Sequence, residues 1–321
     1  MEKKLLLSVS PHIHKKGSTA SIMWITFLSL IPAGVAGVFI FGSRALWLTL
    51  ACIVTAVFTE AIILLLRHQK LTITDGSAAL TGLLLAYNLP STLPIWMACV
   101  GSFFAIAVVK QSFGGIGKNI FNPALAGRAF LLIAWPKYMI SFSKPFSYPD
   151  AVTSATPLNL LKQGKADNIY QIGLNYSDLF FGNRAGCIGE VCIAFLLLGA
   201  LFLFWRRIIS WHSPISFIFT LGFLTWLWGG SHIGEADVLF SILAGGVILG
   251  AFFMSTGYVT SPLTRKGQLI FGFGCGLLTF VIRKWGGYPE GVSFAILIMN
   301  TTVPLLDRFC RARVYGYAGR A

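Results

Sequence analysis

Ten apolar runs follow one another along this 321-residue chain, near residues 20–41, 45–66, 77–89, 93–109, 122–135, 187–205, 214–229, 237–255, 267–282 and 291–306. A helix needs about 20 mostly apolar residues to cross a bilayer. Only 11% of the residues are charged and 55% are hydrophobic, where a soluble domain carries roughly a quarter charged. With a mean hydropathy of +0.74, the chain cannot cover itself with a water-facing surface. The pattern predicts an all-α integral membrane protein.

The net charge of +14 would suit a nucleic-acid binder only if the basic groups formed one patch. Here they are scattered between apolar runs, and topology explains them better. With the N-terminus inside, sixteen Lys and Arg fall on the cytoplasmic side and three in short outer loops. That bias orients the chain with both termini inside. It places the one long polar interruption, residues 136–185, outside. The first apolar stretch is read as an uncleaved span, because the polar segment before it is too long for the n-region of a cleaved signal.

Several runs are too short to cross. Residues 77–89 end at Asn88-Leu89-Pro90, and 123–134 start on an Asn122 cap with Pro123 at the first helical position. Gly286-Gly287-Tyr288-Pro289-Glu290-Gly291 opens another run, expected to reach only to Pro304. Phe113-Gly114-Gly115…Phe121-Asn122-Pro123 is echoed by Trp285-Gly286-Gly287-Tyr288-Pro289, and Asp75…Leu80-Thr81-Gly82 by Asp237…Leu243-Ala244-Gly245. The offsets of 166 and 162 residues between these pairs suggest an internal duplication. Five spans per half is odd, so the second copy must lie inverted. The expected architecture is about ten transmembrane helices in two inverted five-helix repeats, 20–135 and 186–306. A cytoplasmic segment 1–19, the outer loop 136–185 and a tail 307–321 complete the chain. Broken helices in such repeats point to a midplane site, or simply let helices pack closely on glycine. A channel or transporter with no redox role is compatible with this much.

The outer loop contains Tyr148-Pro149-Asp150-Ala151-Val152-Thr153-Ser154-Ala155-Thr156-Pro157. This reads as an exposed turn rich in hydroxyls. Thr156 has no His or Lys neighbour to activate it as a nucleophile, so modification would need another enzyme. Asp150-x-x-Thr153-Ser154-Ala155-Thr156 resembles the flavinylation motif D-x-x-(S/T)-G-A-T, with Ser154 where the motif has glycine. Together with Ser10-Pro11-His12, Thr74-Asp75-Gly76 and Phe113-Gly114-Gly115…Phe121-Asn122-Pro123-Ala124, it makes nearly the whole chain similar to one family. That family comprises the D-type subunits of Rnf ion-translocating ferredoxin:NAD oxidoreductases and the B-type subunits of sodium-translocating NADH:quinone oxidoreductases. The lack of a longer N-terminal extension favours the Rnf side.

The resemblance implies FMN joined to Thr156 by a phosphoester and a second, non-covalent riboflavin in the membrane part. It implies a cofactor-binding set of Thr156, Asp150, Thr153, Ser154 and Ala155, with Asn122 and Arg128 at the broken helix. It further implies a flavin transferase for maturation, other Rnf subunits as partners, coupling to Na⁺ or H⁺, and a place in the bacterial cytoplasmic membrane. Such a chain is one part of a translocase and catalyses nothing alone: the protein would position the flavin, and the flavin would do the redox work.

Ionisable residues inside apolar runs are expensive and are usually functional or paired. Arg128 is expected to balance flavin charge, or to pair with Glu60 or Glu190. Glu60 is expected to be exposed or Arg-paired near the cytoplasmic end, and Asp75 and Asp237 to cap short helices. His12, His14, His68, His212 and His232 have no i,i+4 pairing, and the six cysteines form no CxxC. No metal site is expected.

Overall fold

The structure, a computed structural model, describes residues 18–70, 72–146, 153–154, 156–162, 174–230, 234, 236–288 and 290–310. Asp150 and Ala155 of the loop motif, the 1–17 segment with His12 and His14, His232, and the tail from 311 lie outside the described residues.

Helix α1 (Thr19–Phe41) starts on Ser18, whose Oγ accepts from Ser21 N at 3.1 Å. Gly42, at φ 81°, turns the chain directly into α2 (Ser43–Leu66). The Asp75 carboxylate starts α3 (Ser77–Tyr87) by accepting from Ser77 N and Oγ. Helix α4 (Ile95–Phe104) runs into a π-helical segment, Ala105–Gln111. Helix α5 (Pro123–Ala134) begins as expected: Asn122 Oδ1 accepts from Ala124 N at 3.1 Å and Leu125 N at 3.5 Å.

Outside this block lie α6 (Pro136–Met139), the two-residue strands β1 (Phe142–Ser143) and β2 (Thr153–Ser154), α7 (Pro157–Lys162) and α8 (Tyr176–Phe181). The strands pair antiparallel, Phe142 with Ser154 and Ser143 with Thr153. The second half contains α9 (Ile193–Trp205), α10 (His212–Trp228), α11 (Val238–Leu243) and α12 (Val247–Leu249). A second π-helical segment, Gly250–Met254, then leads to α13 (Arg265–Trp285) and α14 (Val292–Phe309). The Asp237 side chain caps α11 by accepting from Phe240 N at 2.9 Å, so both aspartates hold helix starts.

One apolar core runs through both halves, from Leu30, Leu85 and Leu131 to Phe217, Phe271 and Ile296. The outward face is also apolar, with Phe39, Leu66 and Trp205 about three-quarters exposed, as a surface facing lipid requires. Helices α1, α2 and α14 are long and apolar enough to cross a membrane by themselves.

Three apolar runs fold otherwise than their composition suggests. Run 187–205 is helical only from Ile193, because the stretch before it lies along the end of α3. There Ile188 N–H donates to Leu89 O at 3.1 Å and Gly189 N–H to Tyr87 O at 3.0 Å. A Cβ on Gly189 would overlap the Tyr87 ring, so only glycine permits this approach. Run 237–255 is broken at Ala244–Gly246, where Gly245 and Gly246 take positive φ.

Helix α14 does not stop at Pro304 but continues to Phe309. A proline is tolerated within a membrane helix when side chains satisfy the disturbed backbone. The missing Pro304 N–H frees the Asn300 carbonyl; in the turn before it the Thr301 and Thr302 hydroxyls donate to the carbonyls of Ile298 (2.6 Å) and Met299 (2.8 Å).

Candidate functional site

Three polar loci lie within this apolar body. The first surrounds Thr156. Far from sitting in an exposed turn, Thr156 is only 5% exposed. It opens α7, its Oγ1 accepting from Asn159 N at 3.3 Å and its carbonyl from Asn159 and Leu160 N–H. The burial follows from what α7 packs on. Leu158 joins an apolar cluster with Leu179, Phe240 and Ala244, and Lys162 Nζ donates to the carbonyls of Gly286 and Tyr288. Helix α7 is therefore seated on the turn between α13 and α14. Partial desolvation lowers the Lys162 pKa from its ordinary value. Thr153 and Ser154 form β2, paired with β1.

Two cations on the elements around Thr156 are the candidates to hold a phosphate there. Lys162 lies on the same short helix, and the Arg283 Nη2 would be 2.7 Å from a Cβ placed on Gly245, the glycine that Leu158 also packs against. Arg283 donates to Ser241 and Ala244 carbonyls at 2.6 and 2.9 Å, yet its buried Nε has no partner.

The second locus is a buried cluster of ions. Arg128, on α5, pairs with Glu290 at the start of the α14 segment, donates to Asn88 Oδ1 at 2.9 Å and lies 3.8 Å from Cys187 Sγ. It does not pair with Glu60. Glu190 accepts from Cys187 N at 3.2 Å, and Arg184 donates to the Glu190 carbonyl at 3.1 Å. The Glu190 Oε2 would lie 2.7 Å from a Cβ at Gly246, so that glycine admits the carboxylate. Cys187, Glu190 and Glu290 bring possible ligand atoms within 4.8 Å of one another. Arg128 already holds two of those three residues, and Arg184 adds a further positive charge. Two arginines thus face two glutamates, so the cluster balances its own charge, and the two arginines beside the candidate ligands oppose a metal cation there.

The third locus is a cavity on the other side of Asn122. Its apolar walls come from α1, α3, α9 and the second π segment, including Met23, Leu80, Leu203 and Phe252. Its polar edge comes from Ser77, Asn119, Asn122 and Thr260. Among the described residues lining it, Lys110 is the one that carries a charge. Glu60, expected to be exposed or Arg-paired, is instead 1% exposed. It pairs with Lys110 at 2.7 Å and accepts from Gln111 Nε2 at 2.7 Å. The π-helical turn explains why consecutive residues reach one carboxylate: its wider i→i+5 spacing turns less per residue than an α-helix and brings neighbours closer to one face.

Asn122, capping α5, and Arg128, within it, are thus brought to two different loci, and among the described residues neither is hydrogen-bonded to Thr156. Sequence reasoning missed Glu290 and Lys110. Glu290 could have been found as a charge directly following the Gly286-Gly287-Tyr288-Pro289 break. Lys110, at the end of an apolar run, looked like an ordinary topological marker.

A helical chain with an apolar outer face and helices long and apolar enough to cross a bilayer is a membrane protein, and this one buries ion clusters at its broken helices. The chain belongs to the NQR2, RnfD, RnfE family, whose model matches residues 6–316. It is 47% identical, over 98% of its length and 96% of the relative's, to the D subunit of the Na(+)-translocating ferredoxin:NAD(+) oxidoreductase complex of Acetobacterium woodii. It is 48% identical, over 97% of its length and 96% of the relative's, to the D subunit of the proton-translocating ferredoxin:NAD(+) oxidoreductase complex of Clostridium ljungdahlii. The D subunit of the ion-translocating oxidoreductase complex of Salmonella arizonae is 36% identical, with 97% of this chain and 98% of the relative aligned.

Proposed function

We propose that this chain is the D-type membrane subunit of an ion-translocating ferredoxin:NAD oxidoreductase complex, relaying electrons within the complex while the complex moves Na⁺ or H⁺. The observation that carries the reading is the near end-to-end similarity, at 47% and 48% identity, to two proteins bearing that name. One is named for Na⁺ and the other for protons at almost equal identity, so the likeness selects the reaction rather than the ion. The partners are the other subunits of such a complex and a flavin transferase.

The architecture proposed is ten membrane passes in two inverted repeats. Packing supports it: α2 contacts α3 and α4 as α10 contacts α11 and α13, while α1 meets α9 and α5 meets α14 across the middle. The basic-residue bias puts both termini in the cytoplasm and α7 outside the bacterial cytoplasmic membrane.

FMN on Thr156 would supply one-electron and two-electron transfer when bound. Lys162 and Arg283 would hold its phosphate, and the Leu158, Leu179 and Phe240 cluster would cover its ring. A neutral riboflavin would lie in the cavity at Asn119 and Asn122, where planar apolar walls and amide edges suffice and no phosphate-binding cation is required. Arg128 serves structure first, bridging the two halves through Glu290 and Asn88.

The test is a denaturing gel of the full-length protein co-expressed with its transferase, viewed under ultraviolet light. A fluorescent band is expected for the wild type and none for Thr156→Ala. A dark wild-type band would refute covalent flavin, and a fluorescent Thr156→Ala band would move the attachment elsewhere.

A further inference from the structure

The Lys110–Glu60 pair is not closed. An ammonium has three N–H donors. Two are used, on Glu60 Oε1 and on Ser77 Oγ at 2.6 Å, and the side chain lines the cavity. On the other side, Glu60 Oε2 is buried with no partner. A buried pair kept only for architecture would need its remaining lone pairs and protons satisfied, because desolvation of each ion is expensive. Here one carboxylate oxygen goes without, while the ammonium keeps a donor for whatever fills the cavity. The Ser77 hydroxyl, which donates to Asp75 at 2.7 Å, is fixed as an acceptor toward Lys110. The ammonium is thereby held at the cavity wall from two sides. Arg67 caps the Gln111 carbonyl at 2.6 Å, so the π turn presenting Lys110 is itself anchored.

We propose that Lys110 is the charge partner of the cavity's ligand, a planar heteroaromatic ring with an electron-rich polar edge. Glu60 and Ser77 position it and Glu60 tempers its charge. Its free N–H donates to a carbonyl or ring nitrogen of that edge. When the ring accepts one electron from a reduced iron–sulfur or flavin carrier of a neighbouring subunit, that carrier is oxidised by one electron and no bond to the protein forms or breaks. The ammonium then faces one more negative charge in a site of low dielectric, where such interactions are strong. Lys110 therefore favours the reduced form, and the Glu60 anion opposes it. This rests on the reading that riboflavin occupies the cavity.

The experiment uses the full-length chain purified in detergent on a Thr156→Ala background, so that all remaining flavin is non-covalent. Riboflavin binding is followed by fluorescence quenching, and the midpoint potential of bound flavin by spectroelectrochemical titration. Glu60→Gln, which keeps the shape and removes the opposing anion, should raise the potential. Glu60→Gln combined with Lys110→Met leaves no stranded buried charge, and should lower the potential below that of Glu60→Gln alone and weaken binding about tenfold, as loss of one charged hydrogen bond implies. Equal potentials and affinities in all three proteins would overturn the role of Lys110 and leave the cavity reading standing. Undiminished riboflavin binding in Thr81→Trp, which fills the cavity, would overturn the cavity reading itself.

Discussion

Removal of Arg128 tests whether the buried ion cluster is what joins the two halves. The Arg128 and Glu290 side chains are 8% and 11% exposed. Arg128 comes from α5 and Glu290 from the turn before α14, 162 residues apart in sequence. Arg128→Met keeps the side chain's bulk but strands the Glu290 carboxylate and leaves Asn88 Oδ1 without its donor. Glu190, which interacts electrostatically with Glu290, adds repulsion once the arginine is gone. Breaking a buried pair from one side costs about 3–5 kcal/mol.

Glu290→Gln should cost less, because Arg128 keeps Asn88 and the nearby Glu190. In the double variant neither charge remains, so the loss should fall well short of the sum, with a coupling of about 2–3 kcal/mol. Reversible unfolding of the four proteins in mixed detergent micelles by increasing dodecyl sulfate, followed by circular dichroism, measures the cycle. Strict additivity of the two single losses would show that the charges do not act as a pair, and would refute the bridging role.

Gly189→Ala should destabilise by about 1–3 kcal/mol through overpacking against the Tyr87 ring, whereas Gly287→Ala, whose Cβ meets nothing within 4 Å, should change stability by less than about 0.5 kcal/mol. Thermal unfolding of both variants in detergent checks the contrast. Asn122→Ala removes the cap of α5 and should cost about 1 kcal/mol. The same variant should lower riboflavin affinity in a quenching titration, since Asn122 also lines the cavity.

Much of this protein was already determined by its sequence. Burying an apolar run is a local preference, so hydropathy alone located the helices, and α5 falls on the predicted 123–134 because Asn122 and Pro123 fix a helix start locally. Asp75 and Asp237 cap their helices for the same reason. The motif ending in Thr156 was legible because it is contiguous.

What hydropathy could not settle was the course of the chain where an apolar run meets another segment. Residues just before Ile193 form a turn rather than helix, since Ile188 and Gly189 give their N–H groups to Leu89 and Tyr87. Helix α14 runs through Pro304 to Phe309, losing one backbone hydrogen bond, to the Asn300 carbonyl. Thr156 is buried because Leu158 packs on Leu179, Phe240 and Ala244 while Lys162 finds the α13–α14 turn, more than a hundred residues away.

Partner choice among the ions was likewise tertiary. Arg128 took Glu290 and left Glu60 to Lys110, and no local pattern encodes either pairing. In an apolar body a charge must find whichever opposite charge the packing brings near, and only the assembled helices decide which one that is.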